Sequence, residues 1–173
     1  MKRIAMLWIV LAGVALLLSC STMSDLVSQA AGGAATKAAV AEVADFKTDE
    51  LLCGNADSMM DAYYYLAKVT KPASSTTKNQ AEVIYVKDGS KEWVVYVLKS
   101  HKVKKAELEV GAVLFYPTGW AEYDTIGADE YRKATWALGR VTSTDDLFKG
   151  LVEVRGEKFY TQLLRAPDEP IEE

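Results

Sequence analysis

The spacing of apolar residues changes character near residue 80. Before that point, apolar positions recur at near-helical spacing, at Leu52, Met59, Tyr63 and Leu66. Thr48 can cap a helix start, and acidic residues follow it as the first turn of a helix prefers. The pattern predicts a helix over residues 48–70, best defined from Asp57 to Val69. Its three consecutive tyrosines would point in three directions, so at most two rings could be buried.

Residues 71–80 are polar and contain proline, serine and threonine, which is typical of a linker. Two runs rich in β-branched and aromatic residues follow, Glu82–Lys87 and Glu92–Lys99, and the turn residues between them predict a hairpin. The second run is apolar on both faces. We therefore expect it to be covered on both sides, by a β domain and by the predicted helix.

Four later segments have strand-like composition: Glu109–Tyr116, Trp136–Thr142, Leu151–Val154 and Lys158–Arg165. Their succession resembles the strands of an SH3-like barrel of the Tudor or chromo-like type. In that family a Val-Gly turn opens the first strand, an aromatic residue starts the second, and a Leu-Leu-Arg turn closes the unit. The chain departs from the family in a long insertion, Pro117–Lys133, between the first two strands.

These patterns predict an α+β protein in which a helical segment precedes a β-rich, SH3-like domain. The predicted layout is a signal peptide over residues 1–19, an alanine-rich tether over 20–47, a helix over 48–70, a linker over 71–80, the β-rich domain over 81–165 and an acidic tail over 166–173.

The first residues predict where the protein is sent. A basic start is followed by the uncharged run Ile4–Leu18, which is shorter than the about 20 apolar residues that a membrane-spanning helix needs. The run ends in Leu17-Leu18-Ser19-Cys20, which resembles a bacterial lipoprotein signal. That resemblance implies acylation of Cys20 and, because Ser21 stands where aspartate would favour the inner membrane, an outer-membrane location. The alternative is an uncleaved signal anchor.

Acylation of Cys20 leaves Cys53 without a partner in an oxidising compartment. Burial as a small apolar side chain is one interpretation, and an intermolecular disulfide is the other. If Cys20 is not acylated, a bridge between Cys20 and Cys53 becomes the competing hypothesis.

The composition is that of an ordinary globular protein, with a formal net charge of −4. Removal of Lys2 and Arg3 with the signal makes the mature chain more acidic, which argues against nucleic acid as a partner. One basic patch interrupts this balance, formed by Lys99, Lys102, Lys104 and Lys105. It is either a solvated strand end or a contact for anionic headgroups or an acidic partner.

Residues suited to catalysis are few. The single histidine, His101, lies among the four lysines, and we expect these to disfavour a protonated imidazole and to repel a metal ion. No motif of a serine hydrolase accompanies it, and one histidine with one cysteine does not make a zinc site. The sequence therefore predicts no enzyme, no cofactor and no metal.

The insertion is the predicted binding site because it places aromatic rings beside acids in a long loop. Its candidate ligand-binding residues are Trp120, Tyr123, Tyr131 and, at the following strand, Trp136. The alternative is that these rings fill the end of the barrel. The expected function is a membrane-anchored, non-enzymatic module that binds an envelope protein or peptide. Two alternatives remain, a structural subunit assembled through a helix over Ala30–Ala44 and an envelope hydrolase using His101.

Overall fold

The computed structural model describes residues 45–119 and 127–171, and over these ranges the protein consists mainly of antiparallel β-strands. The strands are β1 (Leu51–Asn55), β2 (Tyr63–Lys71), β3 (Ala81–Tyr85), β4 (Lys91–Val94), β5 (Tyr96–Leu98), β6 (Ser100–Lys102), β7 (Val113–Pro117), β8 (Trp136–Ser143), β9 (Leu151–Val154), β10 (Glu157–Tyr160) and β11 (Arg165–Pro167). One short α-helix, α1 (Ala128–Lys133), and five 3₁₀ turns complete the described part.

The first five strands close into a small barrel. β1 pairs with β2, β2 with β3, and β3 with β4, after which β5 returns to pair with β1. Alternate side chains of these strands point inward, as in β3, where Ala81, Val83 and Tyr85 are buried. They form the interior of the first unit together with Cys53, Ala67 and Val94.

Strands β7 to β11 repeat the same plan. β7 pairs with β8, β8 with β9, and β9 with β10, and β11 returns to pair with β7 after the 3₁₀ turn Thr161–Leu163. This second unit has its own interior, which includes Leu114, Val141, Val152, Val154, Phe159 and Leu164.

The registers of the two units correspond residue by residue. Leu52 lies opposite Leu66 and Leu98 in the first unit, and Phe115 lies opposite Leu138 and Arg165 in the second. The pairing with the third strand of each unit shifts register at the same place, between Val69 and Lys71 and between Val141 and Ser143.

The side chains at the two register shifts also make the same bonds. In the first unit the Thr70 hydroxyl donates to the carbonyl and the carboxylate of Glu82, and in the second Thr142 does the same to Glu153. Residues 56–70 read ADSMMDAYYYLAKVT and residues 128–142 read ADEYRKATWALGRVT, with alanine, aspartate, alanine, leucine, valine and threonine at the same places. We conclude that strands β1 to β5 and strands β7 to β11 form an internal duplication.

The two units share a central core. Tyr64 of β2 lies opposite Trp136 of β8, its own counterpart, so an approximate two-fold relation passes through this pair. The core between the units is built from such counterparts: Ala62 and Ala134, Tyr64 and Trp136, Leu66 and Leu138, Leu52 and Phe115. Strand β6, which follows the first unit, pairs with β11 of the second.

The predicted α+β class is wrong because no helix lies within residues 48–70. That range contains β1, a 3₁₀ turn at Met59–Asp61 and β2. Tyr64 and Leu66 are buried while Tyr63 is exposed, which is the alternation of a strand and not the spacing of a helix. The predicted linker loses its first residue to β2 and includes a 3₁₀ turn at Ser75–Thr77.

The strand predictions after residue 80 are confirmed, but the predicted burial of one strand on both faces is not. The hairpin of β3 and β4 is confirmed, and a strand lies in each of the four later segments. The expected cover on both faces of Glu92–Lys99 is absent among the described residues, since Trp93 and Val95 are exposed. The signal peptide, Cys20 and nearly all of the tether lie outside the described residues. No helix within the described ranges is long and apolar enough to cross a membrane.

Candidate functional site

The four predicted aromatic site residues separate into two groups. Trp120 and Tyr123 lie outside the described residues, whereas Tyr131 and Trp136 are fully buried. Their rings meet edge to face with centroids 4.8 Å apart, and the Tyr131 hydroxyl donates to the carbonyl of Leu163 at 3.3 Å. The structure thus places Tyr131 and Trp136 in the central core and not on a binding surface, because the two-fold contact between the units needs large side chains there.

The internal duplication isolates the insertion as a feature of the second unit alone. Residues 56–62 connect β1 to β2, whereas residues 118–135 connect the corresponding strands β7 and β8. The first and last residues of this second connection are hydrogen-bonded to each other. Thr118 donates to the carbonyl of Thr135 through its amide, at 2.8 Å, and through its hydroxyl, at 3.1 Å. The additional residues are therefore not required by the barrel itself.

Helix α1 fixes the end of the insertion to the first unit. The Arg132 guanidinium donates to the buried carboxylate of Glu50, whose other oxygen accepts from the amide of Lys47. Lys133 pairs with Asp129 within the helix at 2.9 Å. Helix α1, which precedes β8, is thus held against the residues that precede β1.

The basic patch does not form one uniform surface. Lys99, Lys102, Lys104 and Lys105 are all exposed. Lys99 lines a cleft of about 280 Å³ that it shares with Asp45, His101 and Asp168. The charges in this cleft are of both signs, so it does not have the character of an anion site.

His101 is held between the carboxylates of Asp168 and Glu107. Its Nδ1 lies 2.8 Å from Asp168 Oδ1, and its Nε2 lies 2.8 Å from Glu107 Oε1. The hydrogen bonds to Asp168 and Glu107 raise the pKa of His101, and partial burial, together with the nearby charge of Lys104, opposes them only in part. The expectation that the lysines disfavour the imidazolium is therefore wrong. Because both ring nitrogens are engaged, neither is available to activate a nucleophile.

This arrangement predicts how stability depends on pH. A histidine whose pKa is raised on folding stabilises the protein fully below its unfolded value near 6.5, and that contribution is lost as the pH rises through the folded pKa. We expect the free energy of unfolding of the wild type to fall in this alkaline window relative to that of a His101→Gln variant. Urea unfolding of both proteins between pH 6 and pH 9.5 measures the difference. Parallel curves would contradict it.

Arg165 is the buried cation that the sequence analysis did not single out. It is 2 % exposed, donates to Asp45, to the Ser100 hydroxyl and to the Ser100 carbonyl, and lies over the Phe46 ring at 3.8 Å. These contacts connect residues 45–46 and β6 to β11 of the second unit. Arg165 therefore has a structural role.

The predicted burial of Cys53 is confirmed. Its side chain is fully buried in the first unit, and burial raises the pKa of the thiol to about 12. A thiol in this state is a poor nucleophile and is not accessible to a second chain, which argues against the intermolecular disulfide.

Comparisons with known proteins supply no further guide. No family model, no curated protein and no solved structure matches the chain. Within the described ranges no group of three or more histidine, cysteine, aspartate or glutamate side chains is arranged to hold a metal ion.

Proposed function

We propose that this chain is a bacterial lipoprotein, attached to the cell envelope through acylated Cys20 and more suited to the outer than to the inner membrane, that binds an envelope protein or peptide without catalysing a reaction. The binding site is the insertion Pro117–Lys133 of the second unit, with Trp120 and Tyr123 as its contact residues.

The observation that carries this proposal is the difference between the two units. They agree in strand order, register and register shift, yet the second unit alone extends its first connection. Extra residues in a loop on an otherwise repeated scaffold are where binding residues are commonly found. The loop adds a tryptophan and a tyrosine, which provide large contact area at a low cost in conformational entropy.

Two observations bear on the alternatives. An envelope hydrolase using His101 is disfavoured because both nitrogens of its ring bond to carboxylates. A structural subunit assembled through Ala30–Ala44 depends on residues outside the described part, and it predicts oligomers that disappear when residues 21–47 are deleted.

The test places a photo-crosslinking amino acid at position 120 or 123 of the full chain in living cells. We expect a discrete crosslinked species from these positions, and we expect a Trp120→Ala variant to lose at least about tenfold in capture of the same partner while its thermal midpoint is unchanged. Phe148 is 82 % exposed and lies outside the insertion, so a crosslinker placed there is the matched control.

Two results would overturn the proposal. Equal yields from positions 120 and 148 would mean that the insertion is not a selective contact. A parallel fall in thermal midpoint and capture for Trp120→Ala would mean that the ring belongs to the core. Metabolic labelling with an alkyne fatty acid, with Cys20→Ala as the control, tests the anchor separately.

A further inference from the structure

Strand β5 has one paired edge and one open edge. It pairs with β1 on one side, and within the described residues no strand pairs with its other side. Strand β11, which closes the second unit as β5 closes the first, has β7 on one edge and β6 on the other. The duplicated fold thus covers both edges of this strand in the second unit and only one edge in the first.

The hydrogen bonds of the first unit show which residue of β5 faces the open edge. In an antiparallel ladder, alternate residues bond to one neighbouring strand and the residues between them point to the other side. The Val86 amide donates to the carbonyl of Leu66, so β2 uses its even-numbered residues for β3 and its odd-numbered residues for β1. Strand β1 therefore bonds to β5 at the pair of Leu52 with Leu98, and Val97 points away from β1.

The hydrogen bonds between β6 and β11 lead to the same residue. The Val103 amide donates to the carbonyl of Leu164, and the Asp168 amide donates to the carbonyl of Lys99 at 3.1 Å. The extended chain around β6 thus uses positions 99, 101 and 103 to pair with the β11 side. Two residues earlier, the same alternation places the N–H and the C=O of Val97 on this side.

The chain after β11 does not complete this ladder. The register of β6 with β11 places Pro170 opposite Val97, and proline has no N–H to donate. The chain bends at residues 168–169 instead, and the following residues line a cleft with Val113 of β7. Among the described residues Val97 therefore has an N–H and a C=O without a partner, and it lines a hollow of about 220 Å³.

The outer strands β4 and β10 are protected against pairing with another chain, whereas β5 is not. On β4 the Asn55 side chain donates to the outward carbonyl of Trp93 at 3.0 Å, and β10 exposes Glu157 and Lys158. Charged and capped edges of this kind keep sheets from adding further strands. The residues of β5, Tyr96–Leu98, are uncharged and only partly buried.

Within one chain, this segment already pairs with its own counterpart. Leu98 and Arg165 occupy the same register position in the two units, and two residues further on Ser100 lies opposite Pro167. Two equivalent strands thus meet antiparallel about an approximate two-fold axis, as the central strands β2 and β8 do. A second copy of the chain supplies another equivalent strand, and its Val97 carries the same unpaired groups.

From this geometry we propose that the open edge of β5 pairs antiparallel with the same edge of a second copy, with the two Val97 residues opposite each other on a two-fold axis. Each Val97 donates its N–H to the carbonyl of the other, so the unpartnered groups of both copies are satisfied together. Lys99 of one copy lies opposite position 95 of the other, so the two lysines are kept apart.

The test measures self-association of the full chain, purified in detergent, by sedimentation equilibrium for the wild type and for Val97→Pro. Proline removes the N–H that faces the second copy but no bond to β1, and it keeps an apolar side chain at this position. We expect a dimer for the wild type and at least about tenfold weaker association for Val97→Pro, at a similar thermal midpoint. Leu98→Pro is the matched control, because it removes an amide that bonds to β1 and should lower the thermal midpoint.

Amide hydrogen exchange of the wild type examines the same edge without a substitution. The Val97 amide should exchange at least about tenfold more slowly in the dimer, at high protein concentration, than in the monomer at low concentration. The Leu98 amide should be protected at both concentrations because it bonds to β1.

Three results would overturn this pairing. They are a monomer at every concentration, a Val97 amide that exchanges as rapidly in the dimer as in the monomer, and dimers that persist in a folded Val97→Pro variant. In the third case association arises elsewhere, as a structural subunit assembled through Ala30–Ala44 predicts. Capture of an envelope partner through Trp120 has its own test, so either proposal can fail without the other.

Discussion

Replacing Trp136 with alanine is expected to lower the free energy of unfolding by about 3–5 kcal/mol, the range that truncation of a large buried aromatic residue typically costs. Trp136 is fully buried and meets the rings of Phe46 and Tyr131 edge to face, with centroids 5.7 and 4.8 Å away. It lies on the two-fold contact between the units, opposite Tyr64, so a cavity there removes packing from both. Urea unfolding monitored by circular dichroism measures the change.

Trp136→Phe is the matched control for this prediction. The indole Nε1 is buried and has no hydrogen-bond partner among the described residues, so phenylalanine removes an unsatisfied donor while keeping most of the ring contacts. We expect the phenylalanine variant to recover more than half of the stability that alanine loses. If Trp136→Ala unfolds like the wild type, the residue is not part of the central core and its role as a ligand contact has to be reconsidered.

The sequence predicts the second unit better than the first for a physical reason. Segments such as Leu151–Val154 are short, rich in β-branched residues and bounded by turn residues, so their local preference agrees with their final structure. The range 48–70 contains alanine, methionine and leucine, which form helices readily, at near-helical spacing. Pairing of β2 with three neighbouring strands overrides that preference.

The duplication is visible in the sequence only over a limited stretch. Residues 56–70 and 128–142 align without gaps, but the strands before them are displaced by the insertion, and the counterparts Leu98 and Arg165 share no chemistry. Outside that stretch the correspondence between the two units is seen in the strand register and not in residue identity. The exposure of Trp93 and Val95 was not predicted, because an apolar run such as Trp93–Leu98 suggests burial until the edge position of β4 is known.

The protonation of His101 could not be predicted from the charges that are near it in the sequence. Lys99, Lys102, Lys104 and Lys105 are close to His101 along the chain, yet the groups that decide its protonation are Asp168 and Glu107. Asp168 is remote in sequence and arrives through the pairing of β6 with β11. A count of the charges next to His101 in the sequence therefore misjudges its protonation, because one of its two partners is set by strand topology.

The second large effect is expected from Gly54→Ala. A Cβ atom at Gly54 would lie 2.3 Å from the carbonyl oxygen of Tyr63, which is backbone of the paired strand and cannot rotate away. The clash can be relieved only if β1 and β2 move apart at this pair of residues, and pairing of β1 with β5 on its other edge restrains that movement. Overpacking of this kind costs typically 1–3 kcal/mol and more when backbone must move, so we expect a loss of at least about 3 kcal/mol.

Gly139→Ala separates this backbone clash from a crowding of side chains. A Cβ atom there would meet the side chains of Val154, Arg155 and Tyr116 at 2.7–2.9 Å, and these can shift. The Gly139 variant should therefore lose less stability than the Gly54 variant in the same urea titration. If the Gly139 variant loses more stability than the Gly54 variant, the close approach of β1 to β2 is not the more severe clash. If both variants are as stable as the wild type, the strands can move apart enough to accommodate a Cβ atom at either position.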